Sequence, residues 1–193
     1  MRHFFLLILL SSCGYRWHYD YPEGHRPTVS VPLIKGDADA SLTSEIISSL
    51  DSSGVVKVAR KGADYRLEVR LLSRETDQIG YRRDPQKIQG EVVTNLLASE
   101  ARNTLHAKVT LYHRNTDQIA FGPYFLNADT EYDYVDGDSL QDLTFISSSG
   151  ALEEVLPFSL GQLESVESAY EASAKPIYRK LSQKIVDVIS SEW

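Results

Sequence analysis

Tyr65-Arg66-Leu67-Glu68-Val69-Arg70-Leu71 alternates strictly between apolar and charged side chains, with Tyr65, Leu67, Val69 and Leu71 in one phase and Arg66, Glu68 and Arg70 in the other. A period of two is the mark of a strand with one buried and one wet face. The phase returns at Leu105, Ala107, Val109 and Leu111, opposed by His106, Lys108 and Thr110. Two strands that are apolar on one side only require a second layer on that side, and the rest of the chain supplies it.

Upstream, Thr28 to Ile34 is β-rich, and Pro32 places it at an edge or at a strand end. After the turn Gly36-Asp37-Ala38-Asp39, residues Leu42, Ile46, Ile47 and Leu50 recur at helical spacing, with Asp39 or Ser41 able to cap the start and Gly54 the stop. Val55 to Val58 is a short apolar run. Downstream, Arg74 to Tyr81 echoes Arg114 to Phe121 at an offset of 40 residues. The shared Thr-Asp pair predicts a chain reversal at each copy, hence two long hairpins, the second returning through Phe121 to Tyr132 with Pro123 at an edge or bulge. Tyr134 to Leu160 reads as an irregular insertion with a short helix around Leu152 to Leu156. Leu163, Val166, Tyr170, Ala174, Ile177, Leu181, Ile185 and Val188 then form one stripe, either a single long helix or two joined at Lys175-Pro176. The order is β-α-β-β-β-β-α: an α+β two-layer sandwich, a mostly antiparallel sheet of about four or more strands with two helices on one face.

The composition is that of one ordinary domain: 193 residues, 42% hydrophobic, 24% charged, a single cysteine and a net charge of -7. It excludes collagenous, disordered and disulfide-stapled chains. The longest apolar run, Phe4 to Leu10, is far shorter than the ~20 residues of a spanning helix. The charge is unevenly placed. Residues 13–114 hold 15 basic and 13 acidic side chains, a net of +2, while residues 115–193 hold 4 and 14, a net of -10. Neither half has the basic stripe of a nucleic-acid binder.

The one cysteine stands where its position carries meaning. Met1-Arg2-His3 is a positive start, Phe4 to Leu10 an apolar stretch, and Leu10-Ser11-Ser12-Cys13-Gly14 resembles the bacterial lipobox, in which the thiol receives a diacylglycerol and the signal is cut before it. This divides the chain into a signal peptide at 1–12, a lipid-anchored linker at 13–27 and a single α+β domain at 28–193 with the irregular insertion near 134–160. Lipid attachment at Cys13 would hold the protein on a membrane without a spanning helix, each buried methylene contributing ~0.8 kcal/mol.

Catalytic patterns are missing. The sequence has no Gly-rich phosphate loop, no G-x-S-x-G, and no thiol left once Cys13 is acylated, so no catalytic residue, cofactor or metal site is assigned. His18, Asp20, Glu23 and His25 carry ligand atoms, but they lie in a polar, turn-rich linker and read as solvated. Tyr15, Trp17, Tyr19 and Tyr21 alternate beside the anchor; they fit either an interface or a strand packed on the domain's own helices.

Cys13-Gly14-Tyr15, the strand Thr28 to Pro32 followed by Leu42 to Leu50, Ala63 to Val69, the second strand pair and the long C-terminal amphipathic helix together resemble the lipopolysaccharide-assembly lipoprotein family, LptE. The resemblance implies an outer-membrane lipoprotein of the Gram-negative envelope, not an enzyme, that plugs the lumen of an LptD-like β-barrel and assists lipopolysaccharide insertion at the cell surface. Its implied partners are that barrel, lipopolysaccharide and the membrane holding its N-terminal lipid (a palmitate-type acyl anchor), with no nucleic acid. It is implied to sit in the barrel lumen or on the periplasmic side. Basic residues at strand ends and loops contact the glycolipid in the family, and the candidates here are Arg60, Lys61, Arg82, Arg83 and Lys87. The long segment Tyr134 to Leu160 and the acidity depart from the family pattern. The alternative is an outer-membrane lipoprotein that binds and regulates a periplasmic enzyme or secretion pore, of the cell-wall synthase activator type.

Overall fold

The computed structural model describes residues 26–88, 91–134, 144–154 and 165–193. Strands β1 (Thr28–Ser30), β2 (Lys57–Val58), β3 (Tyr65–Ile88), β4 (Glu91–His113) and β5 (Ile119–Asp133) form one mixed sheet in the order β2-β1-β3-β4-β5. β1 is parallel to both β2 and β3, whereas β3, β4 and β5 are antiparallel neighbours. Helix α1 (Ser41–Ser53) follows β1, and the chain ends in α2 (Val166–Ala172) and α3 (Ala174–Glu192). A separate hairpin pairs β6 (Thr144–Ile146) with β7 (Leu152–Glu154). The fold is thus the two-layer α+β arrangement that the alternating strands require.

The core lies between α1, α3 and one face of the sheet. Leu67 and Val69 from β3, Leu105, Ala107, Val109 and Leu111 from β4, and Ala128 from β5 meet Leu42, Ile46 and Leu50 of α1 and Ile177, Leu181, Ile185 and Ile189 of α3. Each large side chain buried here contributes roughly 1.5–3 kcal/mol relative to its exposure. The outer strand β5 is a sheet edge, and α3 guards it: the Nζ groups of Lys180 and Lys184, one helical turn apart, donate to the carbonyls of Asp129 and Asn127, each at 2.7 Å. Those carbonyls would otherwise invite another strand. Trp193 closes one end of the core, edge-on to Tyr65 and Phe121 with ring centroids 5.5 Å away in each case.

Local chemistry accounts for most element boundaries. Gly54 ends α1 in the left-handed region at φ 68°, as its place in the sequence suggests. The start is capped differently from expectation. The first-turn amides of Leu42 and Thr43 donate to Asp37, at 3.2 and 2.7 Å, while Asp39 accepts from the amide and hydroxyl of Ser41. The Ser41 hydroxyl bond is the main reason that the Asp39 carboxyl titrates below its ordinary range. β1 stops at Ser30, before Pro32, but it lies inside the sheet between β2 and β3, not at an edge. Pro123 does sit at an irregularity of the edge strand, between the Leu111–Phe121 and Val109–Tyr124 pairs.

Three expectations are corrected. The repeat at Arg74 to Tyr81 is not a reversal: β3 continues through it, with irregularities around Gly80, and pairs with β4 as far as Ile88. Its twin at residues 114–118 does turn, because Asp117 adopts φ 52° and the Asp117 and His113 amides close on the His113 and Gln118 carbonyls. The same letters stay extended in β3 because they find partners on β4 from Leu105 to Ala98, with register shifts at Gln78/Gly80 and Gly80/Tyr81 that bend the ladder without reversing it. Around Leu152, strand β7 replaces the expected helix, so the described part of the 134–160 segment is a hairpin; residues 155–164 lie outside the described set. The C-terminal stripe is two helices that part at Ser173, three residues before Pro176. Proline has no amide to offer the Ala172 carbonyl, so the break falls one turn upstream of the ring.

Ser182 is fully buried on α3, and its hydroxyl has no hydrogen-bond partner among the described residues. An unpaired buried hydroxyl costs about 1–3 kcal/mol. Replacement Ser182→Ala is expected to raise the unfolding free energy by about 1 kcal/mol in urea titration. A loss of stability would show that the hydroxyl is paired in solution.

Candidate functional site

The sheet has two unlike faces and a long free end. Opposite the helices, the register aligns Arg66 with Tyr112, Glu68 with Thr110, Arg70 with Lys108, Lys108 with Phe125 and Arg102 with Glu131. This open face is a lattice of charges. Arg66 donates to Glu68 at 3.2 Å and to Asp117 at 3.0 Å while its guanidinium lies 4.8 Å over the Tyr112 ring. The hydrogen bond it donates to the Asp117 carboxylate raises its pKa further above an already high value. Arg102 reaches one oxygen of Glu131 through Nε and Nη2. Exposed pairs of this kind add little stability, so the face is set for contact and solubility rather than for cohesion.

The five basic candidates do not form one cluster. Arg60 and Lys61 are exposed on the turn between β2 and β3, beside Gly62 at φ 70°. Arg82, Arg83 and Lys87 were expected after a first hairpin; they lie within β3 itself, near its far end. From Tyr65 to Arg82 is 17 steps of strand, roughly 55 Å at the usual rise. Arg82, half-buried, pairs with Leu97, and Arg83, exposed, pairs with Leu96, so the two neighbours point to opposite faces.

Composition at that end is set by where β5 stops. β5 pairs with β4 only as far as Glu100 opposite Asp133, so among the described strands Tyr81–Ile88 and Glu91–Ala98 pair solely with each other. They form a two-stranded ribbon beyond the layered body. Tyr81, Val92, Val93 and Leu96 are exposed on it, Leu96 at 65%.

Where the ribbon meets the body stands a polar clamp that the sequence reading missed. Asn103 is fully buried on the core face of β4; its Oδ1 accepts from Arg74 Nε at 3.1 Å and its Nδ2 donates to Ser173 Oγ at 2.9 Å. Ser173 Oγ in turn donates to the Tyr170 carbonyl at 2.6 Å. The Arg74 guanidinium lies 4.1 Å over the Tyr170 ring, with Nη2 3.4 Å from both the Ser173 hydroxyl and the Tyr170 carbonyl. The signal was present in the letters: the phase Ala101, Asn103, Leu105 and Ala107 puts a polar Asn103 among buried positions, which demands partners.

No group of three or more His, Cys, Asp or Glu among the described residues could hold a metal. His106 pairs with Ser73 on the open face and His113 packs its ring 5.0 Å from Tyr65, so they stay apart. A small apolar cleft, with room for about one water-sized sphere, lies under the end of α3, lined in part by Leu67, Val109 and Phe121, and the Tyr124 hydroxyl donates to Glu192 at its rim. That bond pushes the Tyr124 phenol pKa up. Cys13, the linker histidines and the aromatic alternation at 15–21 lie outside the described residues.

With this geometry in hand, comparison with known proteins decides the family. The model of the lipopolysaccharide-assembly family LptE matches residues 26–189. The chain belongs to that family. Solved structures of similar fold include a minor lipoprotein from Acinetobacter baumannii, 15% identical with a TM-score of 0.49, covering 86% of this chain and 92% of its own. Others are lipoprotein B from Nitrosomonas europaea, 10% identical with a TM-score of 0.47, covering 92% of this chain and 91% of its own, and rare lipoprotein B from Shewanella oneidensis, 14% identical with a TM-score of 0.40, covering 85% and 94%. No curated protein matches the chain. LptE is a family of lipopolysaccharide assembly and not of catalysis.

The clamp makes a checkable statement about this LptE-family chain. Arg74→Ala leaves the Asn103 and Ser173 groups short of a partner in a buried setting, and a hydrogen bond to a charged group contributes about 1.5–3 kcal/mol. Amide exchange across residues 166–173 is expected to accelerate, with a loss of global stability in that range, and Arg74→Lys, which lacks the planar fork, is expected to restore little. Unchanged exchange in Arg74→Ala would remove the clamp from the account.

Proposed function

We propose that the chain is an outer-membrane lipoprotein, anchored through Cys13 after removal of residues 1–12, whose domain at 28–193 seats in an LptD-like β-barrel and assists lipopolysaccharide insertion. The family match over residues 26–189 carries this reading. The open sheet face supports the seat: its rows of Arg66, Glu68, Arg70, Lys108 and Arg102 suit the polar interior of a large barrel, which an apolar face would not. Residues 13–27 serve as the tether between lipid and fold.

Lipopolysaccharide carries phosphates, and arginine offers them two parallel donors. Arg60 with Lys61 at one end, and Arg82, Arg83 and Lys87 at the other, are the proposed contacts. Their separation means that one headgroup meets one group at a time, so the two groups mark two stations along the strand and not one socket. The alternative, an activator of a periplasmic synthase or secretion pore, predicts a different partner.

Affinity capture from solubilised outer membranes discriminates between the readings. Co-purification of a barrel of about 20 or more strands is expected; recovery of a periplasmic enzyme domain in its place would overturn the proposal. Double replacement Arg82→Ala, Arg83→Ala is expected to weaken glycolipid binding about tenfold or more, the loss of one or two charge-assisted bonds. Unaltered binding would assign the glycolipid to the Arg60 end or away from both.

A further inference from the structure

The ribbon's two faces differ in charge. Pairing sets Tyr81 with Ala98, Arg83 with Leu96, Pro85 with Thr94 and Lys87 with Val92 on one face, and Arg82 with Leu97, Asp84 with Asn95, Gln86 with Val93 and Ile88 with Glu91 on the other. The first face therefore has two cationic positions and no acidic one, in a chain whose net charge is -7. On it Tyr81 is 53% exposed, Val92 64% and Leu96 65%; opposite, Leu97 and Arg82 are half-buried and Val93 is 40% exposed.

The same face is continuous with the core side of the sheet. Ala98 packs against the cluster of Ala101, Tyr134 and Ala169, so α2 rests on the face that Tyr81 and Leu96 extend. Beyond α2 no described helix covers it. An apolar face that outruns its layer by about 26 Å, the length of Tyr81–Ile88, needs another covering.

We propose that this face beds into the headgroup layer of an anionic phospholipid leaflet. The chemistry fits that surface in three respects. Tyr81 has the amphipathic ring favoured at a membrane interface, Val92 and Leu96 reach toward the acyl boundary, and Arg83 meets lipid phosphate, with position 87 a second cationic register position on the same face. A polar barrel interior would leave Val92 and Leu96 against water, and a face with cationic positions and no acidic one favours an anionic surface that also offers an apolar layer. The contact is a second point of attachment, at the end of the sheet away from β1; it shares Arg83 and Lys87 with the proposed lipopolysaccharide contacts, so the two lipids would occupy that end in turn, and it does not depend on the barrel reading.

The test uses the full chain with Cys13→Ser, so that a cysteine placed by Leu96→Cys takes a single environment-sensitive NBD label. Phosphatidylcholine vesicles containing phosphatidylglycerol are expected to raise the label's emission severalfold, and phosphatidylcholine alone to leave it near its value in buffer. The same label at Val93→Cys, on the opposite face, is expected to respond weakly. Added salt or the pair Arg83→Glu, Lys87→Glu, its thermal melting unchanged, is expected to abolish the rise at position 96. A flat signal with phosphatidylglycerol, an equal response at both positions, a rise that survives charge reversal, or a rise with lipopolysaccharide micelles alone would each overturn the proposal. Capture of the barrel partner is read separately, so failure here and failure of the barrel reading are distinguishable.

Discussion

The ladder between β3 and β4 is far longer than the helical layer that can cover it. β3 has 24 residues, about 79 Å of strand, while the 19 residues of α3 span about 28 Å and the 7 of α2 about 10 Å. Backbone hydrogen bonding tolerates such a mismatch, because the inward-turned donors and acceptors bond across the ladder whatever lies above it, and the outward-turned ones can be met by water. Hydrophobic burial does not. The apolar core therefore gathers at the β1 end, where α1 and α3 sit, and the remaining strand length is released as a ribbon.

That division explains why a polar clamp stands at the frontier. At Asn103 the core face passes from the aliphatic packing of Leu105 and Ala107 to the open ribbon, and α2 parts from α3 at Ser173 directly above it. A helix junction leaves backbone carbonyls in search of donors, and a strand face leaving the core admits a long, charged side chain. Arg74 serves both: its fork reaches the Tyr170 carbonyl and the Ser173 hydroxyl, and its flat face lies on the Tyr170 ring. An aliphatic residue there would fill space but leave the junction unsatisfied, at about 1–3 kcal/mol for each orphaned group.

The legibility of the chain follows the same physics. Where a strand has one dry and one wet face, period two is written in the residues, and Tyr65 to Leu71 and Leu105 to Leu111 were readable at once. Where a helix lies on a core, as along Ile177 to Val188, the step of three and four is equally plain. The ribbon lies beyond the helical layer, so no alternation of dry and wet positions marks it, and Arg74 to Tyr81 took its apparent meaning from a resemblance to the turn at Arg114. Turn letters permit a reversal without compelling one; what decides is whether the flanking residues find a partner strand beyond the turn, and that is a property of the whole sheet. The scattered basic residues were visible as types, but their separation along β3 depended on knowing that the strand does not reverse. Arg82 and Arg83, adjacent in sequence, part to opposite faces for the same reason.

Charge then acquires a spatial meaning that net values conceal. The acidic excess falls in residues 115–193, whereas β3 and most of β4 lie in the nearly neutral part of the chain. Within that part, strand alternation sorts charges by face: Glu68 and Arg70 share the open side of the sheet, and Asp84 and Glu91 hold register positions on one side of the ribbon while Arg83 and Lys87 hold the other. A Debye length of about 8 Å at physiological ionic strength is much shorter than the ribbon, so the acids on α2 and α3 screen the ribbon's cations little beyond their own neighbourhood. An anionic surface approaching the free end thus meets a local cationic face and not the overall charge. The excess length of β3 over its helices is what makes that possible, since it carries the cations clear of the acidic half while keeping them joined to it by paired strands.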